Sequence, residues 1–522
     1  MSGADDKVVL RSRFPAGMTP FRSLLLLALC FAAPAHAQER LSPENAMAIQ
    51  DALVWTGDYD GPLDGSLGGA TLNAIKTFQM REGRPAKGRV SSGDAKRLAE
   101  ISGAAKRTAG WSLVPDGASN VVLWLPRALL PEASRTADGR SFASSDGAIR
   151  LSVFKSGTDV AAAHAAARRK PGRELERDML EKGRSILAGR EGDNGFFDFA
   201  TAGAKGAKGF RLSYPLAEAA RLRPIAVAIA NGFIAAPGAP VGKAGTRALP
   251  SLVGAFRFDD KARPYPYGAI DVETRETMIA SGSVAVNLVA TDPPPPPGTK
   301  PQKRKRRLEF DAPFVPKLTI LVEGAPALEL ADPAWVTHFA EVRLVELDPA
   351  NSLQEILLTN FTGGAHCCTE LTIFSARADG SWARTGGGSF DGSPDFPRDL
   401  DGDGRFELVN ADNAFIGTFD CYACSYAPDE IRQLNGETLS DVSAEARFLT
   451  RNRERLGEIW NRGWQSGAVP SEGFLAGFAA AARRTGDGED AWALLETIHK
   501  PKKGVQGTPF PERLKSLLAA EK

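Results

Sequence analysis

The sequence predicts a multidomain chain: a small all-α three-helix domain, an α+β middle domain, and a partial, propeller-like β-repeat domain closed by C-terminal helices. Three observations carry that prediction. Helical apolar spacing interrupted by glycine turns fills residues 38–105. Short apolar runs separated by Asp-Gly turns fill 110–235. Two acidic turn-plus-strand segments, about 52 residues apart, fall within 311–445, ahead of helical periodicity in 446–522. Residues 236–310 read as a linker holding an extended segment, and 1–37 as a secretion signal. A length of 522 residues suits several cores rather than one.

The signal reading rests on a basic stretch, Met18 to Arg22, then an apolar run from Ser23 to Ala32 and an Ala-His-Ala exit ending at Ala37. The polar residues 1–17 are unusual ahead of such a run, which makes Met18 the expected start. A bilayer crossing needs about 20 apolar residues, roughly twice what this run supplies. Cys30 follows Leu29, where lipid attachment requires a small residue, so a cleaved signal is preferred to a lipid anchor. No later stretch is apolar enough to span a membrane, and the mature chain is expected in the periplasm or otherwise exported and wall-associated. With 64 basic and 63 acidic side chains the net charge is +1, which gives no basis for nucleic-acid binding.

In 38–105, Ser42-Pro43 reads as a helix cap and first turn, and Ala46, Ile49 and Leu53 share one face. Thr71 to Met80 resumes as helix with Ala74, Ile75 and Phe78 inward, and a third helix is predicted over about 93–101. The pattern Gly57-x-Tyr59-x-Gly61-x-x-Asp64-Gly65, then Thr71-x-x-Ala74-Ile75-x-x-Phe78-Gln79, then Gly83 and Gly88, resembles the peptidoglycan-binding three-helix domain. That resemblance implies a non-catalytic targeting module with wall contact near Tyr59, Asp64 and Gln79. An aromatic stacks on a sugar face while carboxylate and amide bond to hydroxyls or stem peptide. The competing reading has Asp64 shaping its turn, Phe78 in the core and Gln79 merely exposed.

In the middle domain, 120–126, 149–154 and 210–214 read as strands and 173–185 as a polar helix; 222–233 has mixed character. This region is similar to uncharacterised modules beside wall-binding domains in exported proteobacterial proteins, which implies no activity. Ser141, Ser144 and Ser145 lack a nucleophile elbow, and His164, in an alanine-rich helix, reads as a packing or surface residue. Pro293–Pro297 reads as an extended spacer, and Lys303–Arg307 as a solvated basic run.

The C-terminal repeat pairs Leu344–Asp348, Asn351 and Glu355–Leu358 with Asp399–Gly404 and Glu407–Val409. Two copies are too few for a closed propeller, so the domain is either an incomplete β-assembly or completes itself with diverged strands, from 266–292 or 316–322. In the second copy Asp399, Asp401 and Asp403 stand at positions 1, 3 and 5 of a calcium loop. Gly404 permits the turn, Arg405 offers a carbonyl at position 7, and Glu407 stands at position 9. Asn410 at position 12 and the lack of a helix pair depart from an EF-hand; the loop resembles that of FG-GAP/VCBS-type repeats, which implies a structural calcium ion. The first copy, with Asp348, Asn351 and Glu355, is expected to bind weakly or not at all.

Cys367, Cys368, Cys421 and Cys424 occupy comparable places in the two copies, and an exported chain favours disulfides. Bridges between the 367/368 and 421/424 pairs would close loops of about 50 residues, with the pairing undetermined. Zinc on these thiols with His366, or thiol exchange, are the rival readings. After 444 the chain turns helical, over 444–464, 473–484, 489–499 and from Pro511. The function read from these residues is a non-enzymatic envelope protein that binds peptidoglycan at its N-terminus and carries a calcium- and disulfide-stabilised second binding domain for glycan or protein. A wall or polysaccharide hydrolase and a structural assembly partner are the alternatives. A hydrolase requires a held carboxylate pair or a metal-activated water, and no local motif supplies either.

Overall fold

The computed structural model describes residues 42–238, 265–271, 274–294, 313–363, 368–391, 397–501 and 507–520. The signal, Pro295–Pro297, the Lys303–Arg307 run, His366 and Cys367 lie outside them. The three expected N-terminal helices are present. Helix α1 (Pro43–Trp55) is capped by Ser42, whose hydroxyl accepts from the Asn45 N–H, with Pro43 in the first turn. Helix α2 (Gly69–Arg81) follows the glycine-rich turns. Helix α3 (Ser92–Ala109) starts at a capping box between Ser91 and Asp94 and stops at Gly110 in the left-handed region. It runs beyond the expected end near 101: the interior Gly103 is tolerated, and the helix ends only where Gly110 takes the left-handed conformation.

The middle domain opens with a hairpin, β1 (Trp111–Asp116) and β2 (Val121–Pro126). A seven-stranded antiparallel sheet follows. It comprises β3 (Glu132–Arg135), β4 (Arg140–Ala143), β5 (Arg150–Lys155), β6 (Arg173–Glu181), β7 (Arg184–Glu191), β8 (Asn194–Gly203) and β9 (Gly206–Pro215), in the order β3-β4-β5-β9-β8-β7-β6. Helix α4 (Val160–Arg168) and helix α5 (Ala219–Asn231) pack on it. The predicted helix over 173–185 is instead a strand, a turn and the start of the next strand. Lys182 and Gly183 both have positive φ, at 48° and 73°, which is the two-residue turn that matches strand twist. Edge strand β6 is charged on both faces, so its side chains carry no period-2 apolar signal.

Hairpin β1–β2 is buried on both sides. Val114, Val121, Leu123 and Leu125 face a core that runs without a break from Leu53, Trp55 and Phe78 of the helical module to Phe199, Phe210 and Ile229 of the sheet and α5. Leu113 and Val122 face the C-terminal helices, among them Leu456, Trp460 and Leu494. Trp55 meets Trp111 edge-on at 4.8 Å, and Trp111 stacks with Trp124 at 6.4 Å. The wall-binding-like module is therefore built into the body rather than tethered to it.

The C-terminal β region holds three sheets. One orders β10 (Tyr267–Ala269), β15 (Phe339–Val345), β16 (Glu355–Phe361), β17 (Thr369–Ala376) and β18 (Trp382–Phe390). A second orders β11 (Glu276–Ser281), β12 (Val284–Thr291), β13 (Val315–Val322) and β14 (Ala325–Ala331), and the two share the core of Val286, Leu288, Ile320, Val342, Leu358 and Phe374. The third, β19 (Leu408–Ala411), β20 (Asp429–Asn435) and β21 (Thr438–Asp441), meets the other face of the first through Leu357, Ile373, Leu408 and Leu434. Strands from both 266–292 and 316–322 join these sheets, which form no closed propeller among the described residues, and β10 to β12 arise within the stretch read as linker. Helices α6 (Leu449–Gln465), α7 (Glu472–Arg484), α8 (Gly488–Ile498) and α9 (Phe510–Ala520) form the expected C-terminal group.

Candidate functional site

Within the helical module the two glycine-rich loops are tied down from inside. Gln50, on the apolar face of α1, places its amide nitrogen 2.8 Å from Asp64 Oδ1 and 3.0 Å from the Ser66 carbonyl, while Gly65 N–H donates to its oxygen at 2.9 Å. Tyr59 donates its hydroxyl to the Pro62 carbonyl at 2.8 Å. Gln79 repeats the device on the second loop: its amide donates to the Arg89 carbonyl at 2.8 Å and accepts from Gly88 N–H at 3.0 Å. Tyr59 is only 7% exposed and Gln79 only 2%. These two side chains shape loops, so the expectation that they touch sugar is corrected; of the three, Asp64 alone is on the surface. Gln50 went unnoticed in the sequence, although a polar residue on an otherwise apolar helical face is a visible signal.

The module's free side is α2. Helix α1 lies on α5 and α3 on β1, whereas Asn73, Lys76, Thr77 and Met80 of α2 face outward, with Lys87 and Arg89 on the loop that follows. Met80 is 61% exposed, a large apolar side chain among polar ones.

In the C-terminal region Asp399, Asp401 and Asp403 converge, with one carboxylate oxygen of each within 4.8 Å of the others. Backbone exchange between Arg398 and Glu407, at 3.0 and 2.8 Å, closes the loop. Gly402 and Gly404 donate to Asp399 at 2.7 and 3.1 Å, and Arg405 N–H donates to Asp403 at 2.8 Å. Glu407 is fully buried; its Oε2 accepts from Leu400 N–H at 3.0 Å, and its Oε1 has no partner among the described residues. Burial, with Asp401 and Asp403 nearby, pushes its carboxyl up to about 7 despite the Leu400 hydrogen bond. Arg447, from the turn before α6, stands 3.2 Å from Asp401. One guanidinium against four carboxyl groups, and a buried acceptor left unpaired, fit a hard cation with oxygen ligands.

The first copy explains the second. Glu355 is buried likewise, and its Oε2 accepts from Leu347 and Asp348 N–H at 2.8 and 3.0 Å. Its other oxygen accepts from the Asn351 amide. Asn351 lies four residues before Glu355, and the residue four before Glu407 is Asp403, which has no proton to give. Arg405, rather than serving only its own loop, sends its guanidinium 2.9 Å from Asp348 and 2.8 Å from Asn435. In the first copy both oxygens of the buried glutamate find donors; in the second, among the described residues, only one does.

Cys421 and Cys424 are bridged to each other. The expectation that the 421/424 pair reaches the 367/368 pair is corrected, and the reason is local: Cys421 opens a short 3₁₀ turn that brings the residue three further on back beside it. Cys368 is also disulfide-bonded. A loop of about four residues returns only about 2 kcal/mol of chain entropy, against about 4 kcal/mol for about 50 residues. With both sulfurs bonded to each other, the zinc reading of this pair loses its ligands.

His164 belongs to a chain that sequence reading missed. Its Nδ1 lies 2.8 Å from Ser185 Oγ and its Nε2 3.0 Å from Asp178, which Arg168 also holds at 2.6 Å. Ser185 is only 4% exposed, so no substrate carbonyl reaches it, and the three residues fasten α4 to β6 and β7.

Residues 42–93 match the family described as "Putative peptidoglycan binding domain". The chain is 35% identical over 185 residues to "Probable thylakoid lumen protein sll0997" of Synechocystis, an alignment covering 35% of this chain and 55% of that protein. It is 31% identical over 209 residues to "Uncharacterized protein y4bJ" of Sinorhizobium fredii, covering 34% of this chain and 32% of that one. The chain thus spans about half and about a third of the lengths of these curated relatives. No solved structure matches it. Among the described residues no helix is long and apolar enough to cross a membrane.

Proposed function

We propose that this is a non-enzymatic, exported envelope protein that holds peptidoglycan through its N-terminal module and presents a calcium-stabilised β region as a second binding domain. The match of residues 42–93 to a peptidoglycan-binding family carries the reading. A relative named for the thylakoid lumen supports an exported setting. The wall contact is the outward side of α2 with its following loop: Lys76, Lys87 and Arg89 suit the carboxylates of stem peptides, and Met80 offers an apolar surface to a sugar face. Asp64, exposed on the loop before α2, keeps its proposed part in hydrogen bonding. Asp399, Asp401, Asp403 and Glu407, with the Arg405 carbonyl, would hold the calcium ion, whose role is to neutralise the loop and fix the start of β19.

Co-sedimentation with purified sacculi tests the wall reading. The parent chain is expected to pellet, and a Lys76→Glu/Arg89→Glu variant with unchanged melting is expected to lose most of that binding. Equal pelleting of both chains would remove the α2 face from the proposal, and no pelleting of the parent would remove wall binding. Release of muropeptides during the incubation would favour the hydrolase alternative instead.

A further inference from the structure

The Cys421–Cys424 bridge spans a turn that is already fastened without it. Cys424 N–H donates to the Cys421 carbonyl at 2.9 Å, Ser425 Oγ donates to the same carbonyl at 3.1 Å, and Gly417 N–H donates to Ser425 Oγ at 2.9 Å. The flanks are anchored in the helical core. Phe419 meets Phe510 edge-on at 5.5 Å; Tyr426 meets Phe474 at 5.6 Å and pairs its hydroxyl with Ser466 at 2.8 Å. A short bridge over a turn so held adds less stability than one that closes a long loop. Cys421 is exposed and Cys424 half-buried, which leaves the sulfur–sulfur bond open to an incoming thiolate. Asp420 completes the group: its carboxylate and both sulfurs lie within 4.8 Å of one another.

We propose that Cys421-Tyr-Ala-Cys424 is a thiol–disulfide exchange site that passes electrons between a dithiol donor and a disulfide-bearing exported polypeptide. The donor's thiolate attacks the exposed Cys421 sulfur. The bond to Cys424 breaks, and its electron pair leaves on the Cys424 sulfur, which takes up a proton. The donor's second thiolate then attacks the donor's own sulfur in the mixed disulfide, freeing Cys421 and leaving the donor oxidised. Two electrons and two protons have reached the pair, and the reverse steps deliver them to the disulfide of the acceptor. Asp420 is a positioning residue. Its negative charge beside the sulfurs disfavours thiolates there and so biases the reduced pair toward giving its electrons away.

The test uses the full chain in glutathione buffers of set ratio, with thiols alkylated and located by mass spectrometry. Cys421 and Cys424 are expected to be reduced well below the melting transition, with melting lowered by only a few degrees on reduction. The Cys424→Ser variant is expected to accumulate a glutathione adduct on Cys421 about tenfold faster than Cys421→Ser accumulates one on Cys424. Asp420→Asn is expected to raise the reduced fraction at a fixed glutathione ratio, by a margin that widens as pH rises through the thiol range. The proposal is overturned if the pair is reduced only as the fold melts, or if Cys421→Ser/Cys424→Ser melts well below the parent. Equal trapping by the two single variants overturns the assignment of Cys421 as the attacked sulfur.

Discussion

Replacing Asp403 by Asn copies into the second acidic turn the residue that the first turn uses at the same distance from its glutamate. In the first turn the Asn351 amide satisfies the buried Glu355, whereas Glu407 Oε1 has no partner among the described residues. An unpaired buried acceptor costs about 1–3 kcal/mol. Asp403→Asn should therefore stabilise the chelator-treated chain by about 1–2 kcal/mol, once imperfect geometry is allowed for. Calcium acts in the opposite sense. At a concentration a hundredfold above its dissociation constant it stabilises the parent by about 2.7 kcal/mol, and the variant, short of one carboxylate, gains less. The order of stability should reverse: variant above parent in chelator, parent above variant in calcium. Differential scanning calorimetry in both buffers reads this out. A parent whose melting is indifferent to calcium, or a variant less stable than the parent in chelator, would refute the reasoning.

Three further outcomes follow from the packing. Burial would raise the Asp94 carboxyl, but hydrogen bonds from the Ser91 backbone, Arg84, the Ser91 hydroxyl and Gln79 outweigh it and hold the group at about 2. A depressed carboxyl contributes stability that is full above its ordinary value near 4 and lost as pH falls toward 2. Thermal melts at pH 5 and pH 2.5 should therefore differ less for Asp94→Asn than for the parent. At Gly477 a Cβ would strike the Tyr426 carbonyl. Gly477→Ala should destabilise the chain by about 2 kcal/mol in denaturant titration, despite the gain of about 1 kcal/mol in helix propensity. Deleting residues 38–105 strips Trp55, Leu53 and Phe78 from a continuous core. The remainder should aggregate on size-exclusion chromatography, where a tethered module would leave a monodisperse remainder.

How much was legible varied with the kind of signal. Helices α1, α2 and α6 to α9 followed from apolar spacing and caps, because a helix writes its buried face into positions three and four apart. Strand β2 was plain as a continuous apolar run, and the hairpin's burial between two cores explains why Val121 to Leu125 shows no polar alternation. Strand β6 was missed because an edge strand needs no apolar face; its only local mark was the Lys182-Gly183 turn.

The sequence by itself determined the order of architectures, the helical module's kinship and the spacing of Asp399, Asp401 and Asp403, since each is written in residues close along the chain. Tertiary structure alone decided what those residues do. It drew Tyr59 and Gln79 inside, paired Cys421 with Cys424, buried Glu407 with a donor for only one of its two oxygens among the described residues, and fused the module to the body through Trp55, Trp111 and Trp124. Burial and partnership depend on which distant segments arrive alongside, and a local pattern carries no record of them.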